Sequence, residues 1–218
     1  MKKMLLACLV LAATMQGVSA QNLSFGPTIG VGHSWMTGFE NVKFKPSVNV
    51  GGTLVYSFVS HWGVGADIRA SFLEGVRTKT ENGNASSEYK MNATFLRVPF
   101  KAYYFFGEYG DRVRPKLYAG PSLGFLLGGK TKLENTSGST TNTIEGDTKD
   151  VLKSFDFGFV AGAGLNYRLK KNTWLNVDLN YQNGLVDMSE TPNSFNATRN
   201  IGVNVGVTFP LGTVVPDK

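Results

Sequence analysis

The sequence predicts an all-β fold, an eight-stranded antiparallel up-and-down transmembrane β-barrel, from three observations. Eight segments alternate apolar and polar residues with a period of two, which is typical of β-strands rather than helices. The connections between these segments alternate between long and short along the chain. The polar faces carry mainly Gly, Ser, Thr and Asn, whose side chains are small enough for the interior of a narrow barrel.

The N-terminal residues predict a secretory signal peptide. Lys2 and Lys3 supply a positive start, residues 5–14 form a short apolar core, and small residues lead to a cleavage site after Ala20. This core contains the only cysteine of the chain and is too short to span a bilayer, which needs about twenty residues. The predicted division of the chain is a signal peptide at 1–20 and an outer membrane β-barrel domain at 21–218.

The charge of the chain argues against one class of partner. The sequence has 22 basic and 16 acidic residues, and the excess is spread out without a basic run or a basic helix. Nucleic acid is therefore not an expected partner. The sequence also lacks a phosphate-binding glycine loop, a nucleotide motif and a metal-ligand cluster, so no cofactor is expected.

The first three strands are predicted at residues 23–35, 46–58 and 62–72. In the first, one face carries Leu, Phe, Ile, Val and Trp, whereas the other face carries only Ser, Gly and Thr. The second and third segments repeat the alternation, and a very short connection joins them. This spacing predicts two antiparallel neighbours linked by a tight turn.

The fourth strand is predicted from residues 96–106, with the sequence LRVPFKAYYFF. Its even positions are apolar throughout, and its other face carries Arg97 and Lys101. Upstream, at 89–95, the apolar residues fall instead at odd positions, so the phase of the pattern changes at Leu96. We expect a β-bulge, or an extension of the strand beyond the membrane, to absorb this change.

The last four strands follow the same alternation. The third long connection, at residues 131–150, has ten Ser, Thr or Asn residues among twenty, which predicts a solvated and mobile loop. With an even number of strands, both chain ends lie at the short-turn end, and the long loops face outside. These strands are predicted at 115–128, 155–169, 173–182 and 199–211.

The alternation also fits a soluble lipocalin-like carrier, in which the apolar face points inward. Three features favour lipid on the outside instead: the small and sparsely charged polar face, the long loops at one end only, and tryptophans at strand ends. Trp35 lies at the loop end, and Trp62 and Trp174 lie at the turn end, as expected for interface anchors in two aromatic girdles. The expected location is therefore the outer membrane.

Ionizable residues on the polar faces are candidates for a network in the lumen, because charges in a narrow lumen must be paired or hydrated. Asp67, Lys101 and Asp178 fall at similar heights along their strands, so they are predicted to share one layer. One interpretation is a structural plug, and the other is a narrow ion path. The predicted network consists of Asp67, Arg69, Arg97, Lys101, Asp156 and Asp178.

Histidine and serine near the outer rim suggest a second candidate chemistry, that of a lipid-modifying hydrolase. Acyl transfer needs a base within hydrogen-bond reach of the nucleophile. His33 and Ser34 are consecutive and so point to opposite faces of a strand. His61 lies at the other end of the barrel. The sequence therefore favours interfacial histidines over a catalytic site.

Several segments resemble the PorT-like outer membrane β-barrel family of Bacteroidetes-type bacteria, and the resemblance covers the mature chain. They are LRVPFKAYYFF at 96–106, KLYAGPSLGFLL at 116–127, DFGFVAGAGLNY at 156–167, and the last strand. The resemblance implies a Gram-negative outer membrane barrel, with membrane lipid and the barrel-assembly machinery as partners. Some members have been linked to protein secretion. The last strand also resembles an assembly signal, carried here by Asn204, Gly206, Phe209 and Leu211.

Together these observations predict a non-enzymatic integral membrane protein. We expect it to act as a scaffold or to bind through its extracellular loops, with a role in supporting an envelope or secretion complex. The alternatives are a narrow channel, a lipid-modifying outer membrane hydrolase and a periplasmic lipocalin-like carrier.

Overall fold

The computed structural model describes residues 23–58, 61–108, 111–170, 173–191 and 194–211. The predicted signal peptide, with its cleavage site at Ala20, lies outside the described residues, and so do the last seven residues. Among the described residues, no helix is long and apolar enough to cross a membrane.

The described chain is built from ten strands and one short 3-10 helix, Thr148–Asp150. Their order along the chain is β1 (Leu23–Met36), β2 (Pro46–Ser57), β3 (Trp62–Glu74), β4 (Arg77–Asn82), β5 (Ala85–Phe105), β6 (Val113–Ser137), β7 (Thr140–Asp147), β8 (Phe155–Lys170), β9 (Thr173–Gly184) and β10 (Thr198–Pro210).

Eight of these strands form a closed ring in the order β1, β2, β3, β5, β6, β8, β9 and β10. Every pairing is antiparallel, and β10 closes the ring by pairing with β1 from Ser24↔Pro210 to Met36↔Thr198. The prediction of an eight-stranded antiparallel up-and-down barrel is confirmed. Closure gives every strand of the ring two partners, which satisfies the backbone groups that lipid cannot hydrogen-bond.

The outer surface of the ring is apolar. Ile29 and Val31 on β1 are 62% and 63% exposed, and Leu117, Leu165 and Val203 on other strands are exposed in the same way. The interior faces carry Thr, Asn, Gly and paired charges instead. This is the arrangement of a membrane barrel, so the alternative of a lipocalin-like carrier, with its apolar face inside, is wrong.

Two of the long connections are in fact β-hairpins. Residues 77–90 form β4 and the start of β5, and residues 130–147 form the end of β6 and β7. The prediction of an irregular loop at 131–150 is therefore wrong. Threonine is a good strand former, and glycines at positive φ, Gly83 (57°) and Gly138 (58°), occupy the two turns.

β5 does not change phase at Leu96. The side chains of Met91, Ala93 and Phe95 are buried on the same face as Arg97. What changes at this point is the chemistry of the interior, from an apolar cluster at the long-loop end to a polar lumen. A register shift between Thr94 and Phe95 does occur, in the pairing of β5 with β6.

Candidate functional site

The lower part of the lumen, towards the short turns, holds three ion pairs in one cavity. Lys101 Nζ lies 2.5 Å from Asp67 Oδ2, and Arg69 Nε lies 3.5 Å from the same oxygen. Lys116 Nζ lies 2.8 Å from Asp178 Oδ1. Asp67, Lys101 and Asp178 therefore line one cavity. Lys116 was missing from the predicted network, although its place on the polar face of its strand was evident from the alternation.

The upper part of the lumen holds one arginine between two carboxylates. Arg97 Nη1 donates to Asp156 Oδ2 at 2.5 Å, and Arg97 also pairs with Glu74. Thr198 Oγ1 donates to the same Asp156 oxygen at 2.6 Å. All three charged side chains are at most 5% exposed. Sequence reasoning missed Glu74, because simple alternation in its strand points it outward.

Backbone geometry turns Glu74 into the lumen. Leu73 has a φ of 61° and Gly75 a φ of 128°, and the pairing of β3 with β5 shifts register between Ser71 and Glu74. Such a bulge re-aims a side chain that the period of two would place on the other face. The only sequence signal for it is the glycine that follows Glu74.

Apolar side chains close the lumen above these ion pairs, at the long-loop end. Phe39, from the connection between β1 and β2, and Tyr89, from β5, pack against this apolar cluster. The two cavities between the ion pairs measure about 20 and about 10 Å³, which is room for about one water molecule each. Side chains therefore fill the interior at both levels. The cluster consists of Met36, Val76, Met91, Ala93, Phe95, Leu126, Leu152 and Met188.

His33 and Ser34 are each engaged with other groups. The His33 ring stacks between Trp35 and Phe44, with centroids 5.1 and 4.9 Å away. Ser34 is buried, and its hydroxyl donates to Gly75 O at 3.2 Å and accepts from Gly75 N at 2.9 Å. The structure does not bring the two side chains together as a base and a nucleophile. His61 Nδ1 lies 3.1 Å from Phe105 O, at the opposite end of the barrel.

The three tryptophans lie at strand ends. Trp62, at the turn end, is 55% exposed and packs edge-on against Tyr104 at 5.1 Å. Trp35 lies at the loop end, 6.4 Å from the Tyr181 ring. Trp174 is partly exposed near the start of β9. Their role as membrane anchors stays a prediction.

The four residues of the predicted assembly signal divide between two faces, with three of them on β10 and Leu211 directly after its last residue. Asn204 points inward, where its Nδ2 donates to Asn49 Oδ1 at 2.6 Å and its Oδ1 accepts from Asn180 at 2.7 Å. Gly206 is buried on the same face. Phe209 and Leu211 are 49% and 54% exposed on the outside. A role of these residues in assembly stays a prediction.

The hairpins form a sheet that projects beyond the barrel, and we refer to β4, β7 and the paired parts of β5 and β6 as the projecting sheet. β5 has 21 residues and β6 has 25, whereas a membrane-spanning strand needs about 9–11. The two strands remain paired as far as Ala85↔Ser137. At about 3.3 Å per residue, the first ten residues of β5 extend the sheet by roughly 30 Å.

The two faces of the projecting sheet differ in charge. On the neutral face, β4 and β5 place Thr78, Thr80, Asn82, Ala85, Ser87 and Tyr89. β6 and β7 add Leu133, Asn135, Ser137, Thr140, Asn142 and Ile144. None of these twelve residues is charged. On the opposite, charged face, eight of the twelve corresponding residues are Arg, Lys or Glu. Seven of these eight form ion pairs with one another, as Lys90 does with Glu88 at 2.9 Å.

One buried cation lies at the base of the projecting sheet, in the connection between β1 and β2. Lys45 is 5% exposed, and its Nζ donates to Asn92 Oδ1 at 2.6 Å. Burial, and then the nearby charges of Arg77 and Lys90, lower the pKa of Lys45 to about 8. Burying this ammonium therefore costs free energy in the folded protein.

Replacing Lys45 with Met is expected to stabilise the protein at neutral pH by an amount on the order of 1–3 kcal/mol. In the unfolded chain Lys45 holds its proton more tightly, so the wild-type free energy of unfolding should rise from about pH 8 to pH 10.5. The variant should lack this rise. Urea unfolding followed by tryptophan fluorescence at several pH values measures both effects. The exposed neighbour Lys43→Met is the control, and equal slopes in wild type and Lys45→Met would contradict the prediction.

The described residues contain no group of three or more His, Cys, Asp or Glu side chains able to hold a metal ion. The lumen is a filled structural core, and the projecting sheet presents a neutral face and a charged face outside the barrel. The projecting sheet is therefore the candidate functional site.

Comparisons with solved structures and with curated proteins gave the following results. The solved structures that match include Neisserial surface protein A, which is 12% identical over 86% of this chain and 97% of that chain, with a TM-score of 0.48. OprG from Pseudomonas aeruginosa is 11% identical over 86% of this chain and 95% of that chain, with a TM-score of 0.47. The N-terminal barrel domain of P. aeruginosa OprF is 17% identical over 87% of this chain and 98% of that chain, with a TM-score of 0.41. A comparison with curated proteins gave no match.

The family comparison covers most of the chain. The model of the outer membrane protein beta-barrel domain matches residues 16–190. This match and the lipid-facing exterior support location in the outer membrane. The chain therefore belongs to the outer membrane protein beta-barrel domain family.

Proposed function

We propose that this is a non-enzymatic outer membrane protein whose barrel is an anchor and whose projecting sheet is a binding surface. The observation that carries the proposal is the contrast between the two parts. Ion pairs and apolar side chains fill the barrel interior. Beyond the barrel, β5 and β6 continue into a four-stranded sheet with two chemically different faces. Because the long connections of such barrels face outside, the sheet is exposed to partners at the cell surface.

The finer parts of the proposal rest on the sequence. A signal peptide at 1–20, cleaved after Ala20, delivers the chain to the periplasm, and the barrel-assembly machinery inserts it into the membrane. The resemblance to PorT-like proteins of Bacteroidetes-type bacteria supports a role beside envelope or secretion proteins. The rings of His33, Trp35 and Phe44 form an aromatic patch at the outer rim, which fits contact with outer membrane lipid.

Shortening both hairpins tests this function. Asn-Gly turns in place of residues 79–88 and 133–144 would remove the projecting sheet and keep the apolar cluster and lumen intact. We expect the shortened protein to remain heat-modifiable on detergent gels, which reports a folded barrel. Formaldehyde cross-linking in whole cells followed by mass spectrometry should detect envelope proteins attached to the wild type and not to the shortened protein.

The control for this experiment shortens only one hairpin at a time, which tests whether one arm of the sheet suffices. A shortened, heat-modifiable protein that keeps all wild-type cross-links would contradict the binding role of the sheet. Either single-hairpin variant serves in place of the double one if the double one does not fold.

The closed interior predicts that the purified protein does not conduct ions. Because the cavities between the ion pairs have room for about one water each, planar bilayers with the folded protein should show no stable unitary openings. A large porin purified in the same detergent is the positive control. Repeatable openings of uniform size from the heat-modifiable protein would favour the narrow channel instead.

A further inference from the structure

The neutral face of the projecting sheet is a solvent-exposed surface without charge. The charged face, on the other side of the same four strands, has eight Arg, Lys or Glu residues at twelve positions. The strands therefore carry many Arg, Lys and Glu residues, but none of these points to the neutral face. Solubility alone does not explain this segregation, because mixed charges on both faces would serve it as well.

We propose that the neutral face binds an uncharged polysaccharide. This inference deepens the proposed function and rests on it, because it names the chemical class of the ligand at the same sheet. The ligand would lie in the groove at the tip of the sheet, which has a volume of about 460 Å³. That volume falls within the range of about 300–1,000 Å³ that is common for ligand sites.

The absence of charge selects the class of ligand. An anionic or cationic ligand in this groove would lose water from its charge without gaining a counter-charge, which is costly. A protein partner would be expected to meet Trp, Tyr or Arg at the centre of the contact, so the envelope proteins of the cross-linking experiment would bind the sheet outside this groove. The groove is lined by residues such as Thr80, Asn82, Asn135 and Asn142, and its lining includes no aromatic or charged residue. A neutral polysaccharide binds through its hydroxyl groups and needs neither an aromatic nor a charged side chain.

The groove also offers hydrogen-bonding groups that the protein leaves unused. Within the described part of the chain, the side chains of Thr80, Asn82 and Asn142 make no hydrogen bonds. Ser87 Oγ donates to Asn135 Oδ1 at 2.8 Å, which leaves the amide group of Asn135 with two donors for a ligand. Hydroxyl and amide groups both donate and accept, as sugar hydroxyls do, so each can pair in either direction.

Apolar side chains lie on the same face, one row closer to the barrel. Tyr89 is opposite Leu133, and Leu133 is opposite Ile144. Ile144 is 61% exposed, and Tyr89 stacks on Phe39 with ring centroids 6.1 Å apart. Sugar rings present C–H faces as well as hydroxyl edges, so this row can cover the part of a glycan that the amides do not bind. The ligand would therefore run along the sheet towards the barrel.

The experiment measures polysaccharide binding to the full-length mature protein folded in detergent. The probes are dextran, laminarin and yeast mannan, which are neutral, and polygalacturonate, which is a polyanion. We expect the wild type to bind at least one neutral probe more tightly than polygalacturonate. The double variant Asn135→Ala/Asn142→Ala, which removes two amides from the groove, should weaken that binding at least tenfold.

A matched control lies on the same two strands. Glu134→Ala/Thr143→Ala removes the neighbouring pair from the charged face and should leave binding unchanged. All variants must be heat-modifiable, which shows that their barrels are folded. If the double amide variant does not fold, Ser137→Trp, which fills the groove from its tip, takes its place.

The inference is wrong if the folded wild type binds none of the neutral probes, if polygalacturonate binds more tightly, or if the amide variant binds as the wild type does. Loss of cellular cross-links in the shortened protein, together with no polysaccharide binding by the wild type, would overturn only the ligand class and leave the proposed binding role standing.

Discussion

Replacing Arg97 with Met is expected to lower the free energy of unfolding by about 3–5 kcal/mol, because the change leaves buried carboxylates without a partner. Arg97 pairs with Asp156 at 2.5 Å and with Glu74 on the neighbouring strand β3. Both acids are nearly inaccessible to solvent, so water cannot replace the guanidinium. Urea titration of the protein in detergent, followed by the gel shift between folded and unfolded forms, measures the loss.

The exposed cation Lys132, paired with Glu134 at 2.7 Å on the projecting sheet, provides the comparison. Lys132→Met should leave the unfolding transition where it is, since exposed pairs contribute little. A neutral triple variant, Glu74→Gln/Arg97→Met/Asp156→Asn, should recover most of the stability lost by the single change. If Arg97→Met unfolds at the same urea concentration as the wild type, the ion pairs of Arg97 do not stabilise the barrel.

Replacing Gly26 with Val is expected to prevent closure of the barrel. Gly26 lies on the inner face of β1 at the seam with β10, and a Cβ atom there would lie 1.8 Å from the Val207 carbonyl oxygen and 2.9 Å from Thr208 Cα. These are backbone atoms, so the strands themselves must move apart. We expect the free energy of unfolding to fall by at least about 3 kcal/mol, which is the upper end of the usual cost of overpacking a core. Most of the heat-modifiable form should be lost.

Pro27→Val is the matched control for the seam. Its position is the next one on β1, and its side chain is on the lipid-facing side, where the barrel leaves room. This variant should keep the wild-type fraction of heat-modifiable protein. A folded fraction for Gly26→Val equal to that of Pro27→Val would show that the seam tolerates a wider spacing than the structure has.

The strands of the barrel could be predicted because each has one apolar and one small or polar face, and a period of two is the simplest pattern in a sequence. The lumen charges could be predicted for the same reason, and so could Lys116, which sits in phase with its strand. Glu74 could not, because its direction depends on the positive φ angles of Leu73 and Gly75. Backbone conformation of this kind leaves only a weak trace in the sequence.

The projecting sheet could not be recognised for a different reason. Its strands have no apolar face to bury against a core, so the alternation that identifies a strand is absent there. Residues 131–150 look like a solvated loop by composition, yet they pair through rows such as Thr136 with Thr141. The alternation that does exist, neutral against charged, becomes visible only when the register of all four strands is known.

The interior contacts of the barrel have a consequence for its circumference. Arg97 on β5 reaches Asp156 on β8 past β6, Lys116 on β6 reaches Asp178 on β9 past β8, and Asn204 on β10 reaches Asn49 on β2 past β1. Each contact joins strands that are not hydrogen-bonded neighbours, so it can form only at a tight curvature. A ring with one more hairpin would have a larger diameter and would separate these pairs. The lumen therefore selects eight strands over any larger number, independently of the pairing between strand edges.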